Sequence, residues 1–233
     1  MSWLRSLLFN ISLIVWTLIV GIVSLPIVLI RPKAILRIAD IWTGVVVAML
    51  GLFCGIHHKL EGAEYIAQGV VYAAKHQSAW ETIALWNILH RPVFVLKREL
   101  LSIPVFGSYL RRVPHVAVDR KAGSQAMRQV IEQSRIHLQE GRSIIIFPEG
   151  TRTAPGETRP YKQGVASLYE HLKVHVVPVA LNSGLFWRRN AFIKRPGLIT
   201  VRLLPPMLQG LDRDVFLKRL QETIEAESTA LLS

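Results

Sequence analysis

Residues 7–30 carry no charged side chain, and this long apolar run restricts the fold more than any other feature of the chain. It exceeds the ~20 residues that cross the hydrocarbon core of a bilayer. Asn10, Gly21 and Pro26 interrupt it in ways that membrane helices tolerate. A second uncharged stretch, residues 41–56, is short for a full span and suits a re-entrant, tilted or interfacial segment. The first run is too long for the apolar core of a signal peptide, and no small-residue cleavage site clearly follows it, so it is expected to stay and anchor the chain. The connection between the two stretches carries Arg31, Lys33 and Arg37 against Asp40. Two full spans would place it opposite the basic remainder of the chain, against the positive-inside tendency. One span with an interfacial helix would leave Arg5 outside. The expected arrangement is a shallow hairpin in one leaflet, with residues 1–57 as the anchor and residues 58–233 as a separate domain on the cytoplasmic side.

The charge balance narrows the choice of partner. Twenty-eight basic residues against sixteen acidic ones give +12 over 233 residues, with a pI near 10.3 and a mean hydropathy of +0.33. Nucleic acid is the usual partner of such a chain. No zinc-finger spacing or RNP-like aromatic motif is present, so no nucleic acid is expected, and an anionic membrane is. Leu185-Phe186-Trp187-Arg188-Arg189 and Phe192-Ile193-Lys194-Arg195 interleave apolar and cationic side chains as an interfacial surface would. A solvated basic loop with partly buried aromatics has the same pattern. Cys54 is the single cysteine, which rules out an internal disulfide and suits a reducing compartment. The eight histidines show no metal-ligand spacing, and His57-His58 reads as a polar collar at the membrane exit. Neither a metal nor a cofactor is expected.

From about Leu60 the texture changes to short apolar runs alternating with amphipathic stretches. Residues 70–74, 93–96, 143–147, 174–180 and 198–204 read as strands, being β-branched and bounded by turn residues. Residues 124–140 and 212–231 read as helices. Strands alternating with helices predict an α/β domain with a largely parallel sheet flanked by helices.

Two short motifs then fall beyond strand ends, where open α/β sheets bind ligands. In His76-Gln77-Ser78-Ala79-Trp80-Glu81 an imidazole precedes a carboxylate by five positions. On one helix they would point about 140° apart. They meet only if His76 lies in the preceding loop and Glu81 reaches back from the first turn. Glu81 would then hold Nδ1 and leave Nε2 to accept a proton near neutral pH. Ser78-Ala79-Trp80-Glu81 equally fits a capping box, in which Glu81 bonds only the Ser78 N–H. In Phe147-Pro148-Glu149-Gly150-Thr151-Arg152, Pro148 and Gly150 set a turn and Arg152 offers a planar fork for phosphate. A structural turn with an Arg152–Glu149 pair is the other reading. Lys97-Arg98-Glu99-Leu100 adds cations at a comparable strand end.

The order of these motifs, with Ile103-Pro104-Val105-Phe106-Gly107 after Lys97-Arg98-Glu99-Leu100 and Val177-Pro178-Val179-Ala180 last, resembles the glycerolipid acyltransferases. Among them it is most similar to bacterial 1-acylglycerol-3-phosphate (lysophosphatidic acid) acyltransferases. The N-terminal apolar segments resemble that family's membrane-embedded helical pair. The resemblance implies that His76 is the general base on the acceptor hydroxyl and that Glu81 stands where the family has an orienting aspartate. It further implies a site for the acceptor's phosphate in which Lys97 and Arg152 are the cations that hold it, Glu149 and Gly150 shape the loop, and Arg120 is a further basic position. The implied reaction moves a fatty acyl group from an acyl-CoA or acyl carrier protein thioester to a lyso-lipid, giving phosphatidic acid at the cytoplasmic face of a bacterial inner membrane. Another acceptor such as a lysoaminolipid, a lipid hydrolase, or a non-catalytic lipid-binding protein of the same fold are the alternatives.

Overall fold

The computed structural model describes residues 2–103, 106–119 and 123–232. Two helices, α1 (Ser2–Ile30) and α2 (Ala34–Met49), form an antiparallel hairpin, and a π-helical turn, Leu50–Cys54, extends α2. Strands β1 (Ile56–Glu61), β2 (Val71–Ala74), β3 (Val93–Lys97), β4 (His115–Val118), β5 (Ile144–Ile146), β6 (Val176–Leu181) and β7 (Gly197–Leu203) follow. Between them lie α3 (Trp80–Ile88), α4 (Phe106–Leu110), α5 (Gly123–Gln139) and α6 (Gln163–Leu172), with α7 (Arg213–Ala230) after the last strand.

The strands make one sheet in the order β1-β7-β6-β2-β5-β3-β4. From β6 to β4 all neighbours are parallel, and among the strands of the described residues β6–β7 is the antiparallel pair, so β7 and β1 run the other way. Strand β2 is buried on both faces, as a central parallel strand must be. Its alternation sorts the core into two layers. Tyr72 and Ala74 join Phe9, Val46, Leu50 and Leu85 beneath the hairpin and α3. Val71 and Ala73 join Val130, Val165, Leu168, Phe216 and Leu220 beneath α5, α6 and α7. Hairpin and sheet therefore share a core.

The largely parallel sheet and its flanking helices agree with the sequence reading. Strands β1 and β4 and helices α4 and α6 were not visible in it. Strand β1 is an edge strand of Ile-His-His-Lys-Leu-Glu whose middle is exposed, so it lacks the apolar run that marks a buried strand. His57 and His58 pair with Leu198 and Ile199 of β7.

The hairpin also differs in its bounds. Helix α2 starts at Ala34, which leaves Arg31, Pro32 and Lys33 as the connection and puts Arg37 and Asp40 inside a helix. Asp40 is tolerated there because it accepts hydrogen bonds from Trp86 Nε1 at 2.9 Å and Arg91 Nε at 3.0 Å. Both limbs are long and apolar enough to cross a membrane.

Helix α1 is amphipathic inside out. Leu4, Leu8, Ile11, Val15, Leu18, Ile22, Leu25 and Leu29 recur at alternating spacings of four and three, and each is at least 45% exposed. The polar residues face the protein instead. Ser6 Oγ accepts from Lys194 N at 2.9 Å, Asn10 Oδ1 from Lys194 Nζ at 2.7 Å, and Thr17 Oγ1 from Trp42 Nε1 at 3.1 Å. Ser24 Oγ donates to the Tyr109 hydroxyl at 3.2 Å, and that hydroxyl donates to the Gly21 carbonyl. These contacts run from the first turns of α1 almost to the tip, and Asp40 holds α2 seven residues past it. The hairpin lies along the domain, with an apolar stripe turned outward that no soluble surface would carry. The protein associates with membrane.

Candidate active site

Strands β2, β5 and β3 are neighbours running in one direction, so their C-terminal ends line up at one edge of the sheet. Lys75-His76 follows β2, Phe147 to Arg152 follows β5, and Lys97 ends β3. That is why motifs some twenty to seventy residues apart in the chain converge. The His76 ring stacks on Phe147, with centroids 4.1 Å apart and planes 18° from parallel. Gly150 has φ +68°, in the left-handed region that glycine enters without strain, and its N–H closes the turn on the Phe147 carbonyl at 2.9 Å.

His76 lies in the loop before α3, and Glu81 reaches back from the first turn of the helix. Glu81 Oε1 is 3.0 Å from His76 Nδ1 and also accepts from the Gln77 and Ser78 N–H groups, each at 2.6 Å. Ser78 Oγ in turn accepts from Trp80 N at 3.1 Å, so the Glu81 half of a capping box, its bond to the Ser78 N–H, is formed while the serine hydroxyl caps Trp80 instead of Glu81. The two readings of Glu81 therefore coexist in one carboxylate. Its length, one methylene beyond aspartate, suffices to reach the ring. With Nδ1 engaged, Nε2 is the ring nitrogen left for a ligand.

His76 lines a cavity of about 930 Å³ bounded by the hairpin, α3, the strands β3 and β4, the end of β5, and helices α5 and α6. Thr17, Val20 and Gly21 of α1, Ile38 and Trp42 of α2 and Trp86 of α3 form part of its apolar wall. Lys97, Gly150 and Arg152 line it as well. A long apolar slot with cations and an imidazole on its lining suits an amphiphile that carries an anionic head.

Glu149 belongs to the loop that follows β5. Its carboxylate turns inward and is buried: Oε1 is 2.9 Å from Lys75 Nζ and from Thr153 Oγ1, and Oε2 accepts from His76 N at 2.9 Å. It does not pair with Arg152. Burial pushes its carboxyl above the ordinary value, and Lys75 is the strongest pull back. Arg120 lies outside the described residues, as do Pro104 and Val105.

Four residues escaped the sequence reading. Ser183, after β6, donates from Oγ to Glu81 Oε2 at 2.8 Å and is fully buried. Its only sequence signal is its place beyond the end of the strand neighbouring β2. Lys75 is 1% exposed, with acidic partners far along the chain, so nothing local marks it. Lys162 and Arg189 line the cavity beside Arg152, and Arg189 Nη1 donates to the Arg152 carbonyl at 3.2 Å.

Glu81→Gln tests the carboxylate's charge apart from its capping. The amide oxygen still accepts the Gln77 and Ser78 N–H groups, and the amide nitrogen can donate to Ser183 Oγ. Thermal stability should change little. What is lost is the charge-assisted part of the bond to His76, about 1–1.5 kcal/mol. Turnover should fall roughly tenfold with KM nearly unchanged. Unchanged turnover would leave Glu81 as a cap alone.

Residues 57–182, a little over half of the chain, match the family model described as Acyltransferase. A protein named 1-acyl-sn-glycerol-3-phosphate acyltransferase from Pseudomonas aeruginosa is 34% identical over 167 residues, covering 71% of this chain and 65% of that one. A protein of the same name from Cocos nucifera is 30% identical over 199 residues, covering 84% and 63%. The chain thus spans just under two thirds of the length of these relatives. The fold is that of the crystal structure titled as the 1-acyl-sn-glycerophosphate (LPA) acyltransferase PlsC from Thermotoga maritima, with a TM-score of 0.78 at 21% identity over 100% of this chain and 98% of that one. On the matched residues and the relatives that share them, the chain belongs to the acyltransferase family.

Proposed function

We propose that the protein transfers a fatty acyl group from an acyl thioester, carried by coenzyme A or acyl carrier protein, to the free hydroxyl of 1-acylglycerol-3-phosphate, giving phosphatidic acid. The observation that carries this reading is that one largely apolar cavity is lined by His76, whose ring Glu81 contacts from behind, and by the cations Lys97 and Arg152. The names borne by the relatives agree with it.

In this reaction His76 Nε2 takes the acceptor's hydroxyl proton as the oxygen attacks the thioester carbonyl. Glu81 holds the ring and stabilises the imidazolium that forms. The new ester C–O bond replaces the C–S bond, and the thiolate leaves and takes the proton from the imidazolium. Lys97 and Arg152 hold the acceptor's phosphate, with Gly150 allowing the backbone to approach it. The acyl chains lie in the slot against α1 and α2. The anchor presents the Leu4-to-Leu29 stripe to an anionic bilayer at the cytoplasmic face of the inner membrane. The loop of residues 186–195 extends this contact: Phe192 and Ile193 are each 42% exposed, Phe192 stands 5.8 Å from the Trp3 ring, and Arg188, Arg189 and Arg195 are exposed beside them.

The acceptor is tested at Arg152. A charge-assisted contact to phosphate contributes about 1.5–3 kcal/mol, or roughly ten- to over a hundredfold. Arg152→Ala should depress transfer to lysophosphatidic acid by that factor and transfer to a phosphate-free monoacylglycerol far less. Arg152→Lys should recover only part of the loss, because an ammonium lacks the bidentate fork. Mass-spectrometric product analysis over a panel of acceptors and donors reads both. Equal depression with the two acceptors would make Arg152 a structural residue, and equal use of both by the wild type would exclude phosphate recognition.

A further inference from the structure

Helix α7 packs on the face of the sheet opposite the hairpin, yet it reaches the loop that carries His76. Glu225 of α7 accepts hydrogen bonds from Lys75 Nζ at 2.7 and 2.8 Å, from the Tyr161 hydroxyl at 3.0 Å and from Thr158 Oγ1 at 3.3 Å. Lys75 Nζ continues to the Glu157 carbonyl at 3.2 Å and to Glu149 Oε1 at 2.9 Å. Glu149 accepts the His76 N–H, and Thr153, which donates from its hydroxyl to Glu149, donates its own N–H to the His76 carbonyl at 2.8 Å. Both backbone polar groups of His76 are thus held by a network whose far end is a helix 150 residues away.

Charge balance does not explain that far end. Lys75 and Glu149 already neutralise each other in a buried pair, and a second carboxylate at 14% side-chain exposure adds desolvation without being needed for neutrality. What Glu225 adds is an anchor, because both of its oxygens hold Nζ and tie the Lys75–Glu149 pair to α7. We propose that Glu225 is a positioning residue for acyl transfer, holding the His76 backbone through Lys75 and Glu149. This rests on the assignment of His76 as the general base.

The experiment compares the full-length wild type with Glu225→Leu in detergent micelles, reading steady-state acyl transfer and the ¹⁵N resonances of the His76 ring, assigned through their loss in His76→Ala. Displacement of a reacting group by an ångström or less costs up to about 100-fold in rate. In a folded Glu225→Leu protein, kcat should fall roughly 10- to 100-fold with KM within about twofold, and the His76 signal should move. Glu225→Gln keeps an acceptor for Lys75 and Tyr161 and should show a smaller loss in the same direction. It decides the matter if Glu225→Leu does not fold. Wild-type kcat with an unmoved His76 signal, in whichever variant is folded, overturns the proposal. Absence of acyl transfer in the wild type is a separate failure, of the reaction assigned to the site. The ring signal then decides alone, a displaced signal supporting the positioning role and an unmoved one overturning it.

Discussion

Replacing His76 with alanine should reduce acyl transfer by about 10²–10⁴-fold, the usual worth of general-base assistance, while the protein stays folded and membrane-bound. The backbone contacts of His76, to Glu149 and Thr153, do not depend on its side chain. Glu81 keeps its bonds to Gln77, Ser78 and Ser183 when the ring is gone. The outward stripe of α1 is untouched, so sedimentation with carbonate-washed membranes should match the wild type. The variant loses the stack on Phe147 and one hydrogen bond, a cost of roughly 1–2 kcal/mol that thermal unfolding would register as a small shift. A His76→Ala protein retaining most of the wild-type rate would remove the imidazole from the reaction.

The largest expected loss of stability follows from Lys75→Ala. The ammonium sits between two carboxylates in the core and is 1% exposed. Removing one partner of a buried ion pair costs about 3–5 kcal/mol, because the remaining charge is left uncompensated. The loss should depend on pH in a stated direction. Burial already raises the Glu149 carboxyl above its ordinary value, and Lys75 is the first of the groups that oppose the rise. Without Lys75 the folded-state value rises further. A carboxyl raised in the folded state carries its penalty above its unfolded value of about 4.3. The penalty grows up to the raised folded value and disappears as falling pH protonates the group in both states. The melting gap between wild type and Lys75→Ala should therefore narrow as pH falls from neutral toward the carboxylate range. A gap that is constant or widens on acidification would mean that Lys75 contributes packing and not charge.

These two residues are neighbours in the chain, yet only one was legible. His76 stood out because an imidazole just past a buried strand, five positions before a carboxylate, is a local pattern. Lys75 reads locally as one more cation in a basic protein. Its meaning lies in Glu149 and Glu225, which only the stacking of β2 beside β5 and the return of α7 bring to it. Ser183 was hidden for the same reason, since β6 had to be placed next to β2 before its hydroxyl met Glu81.

The sequence by itself determined the class of the sheet and the existence of an apolar anchor. It also determined the order of the motifs, because each rests on periodicity or composition over a few residues. The short strands β1 and β4 carried no such signal, and their pairing with β7 and β3 supplied what their own residues lacked. Helix α6 does carry one, since Val165, Leu168, Tyr169 and Leu172 fall on one helical face, and the sequence reading passed over it. The two readings of Glu81 were inseparable in sequence because capping and ring contact use the same reach, and the folded loop lets one oxygen do both. Whether Glu149 faced a ligand or the core depended on where Lys75 lay, and that was a matter of tertiary structure alone. Buried charges are placed by partners distant in the chain, so their roles appear only once the strands that carry them are set side by side.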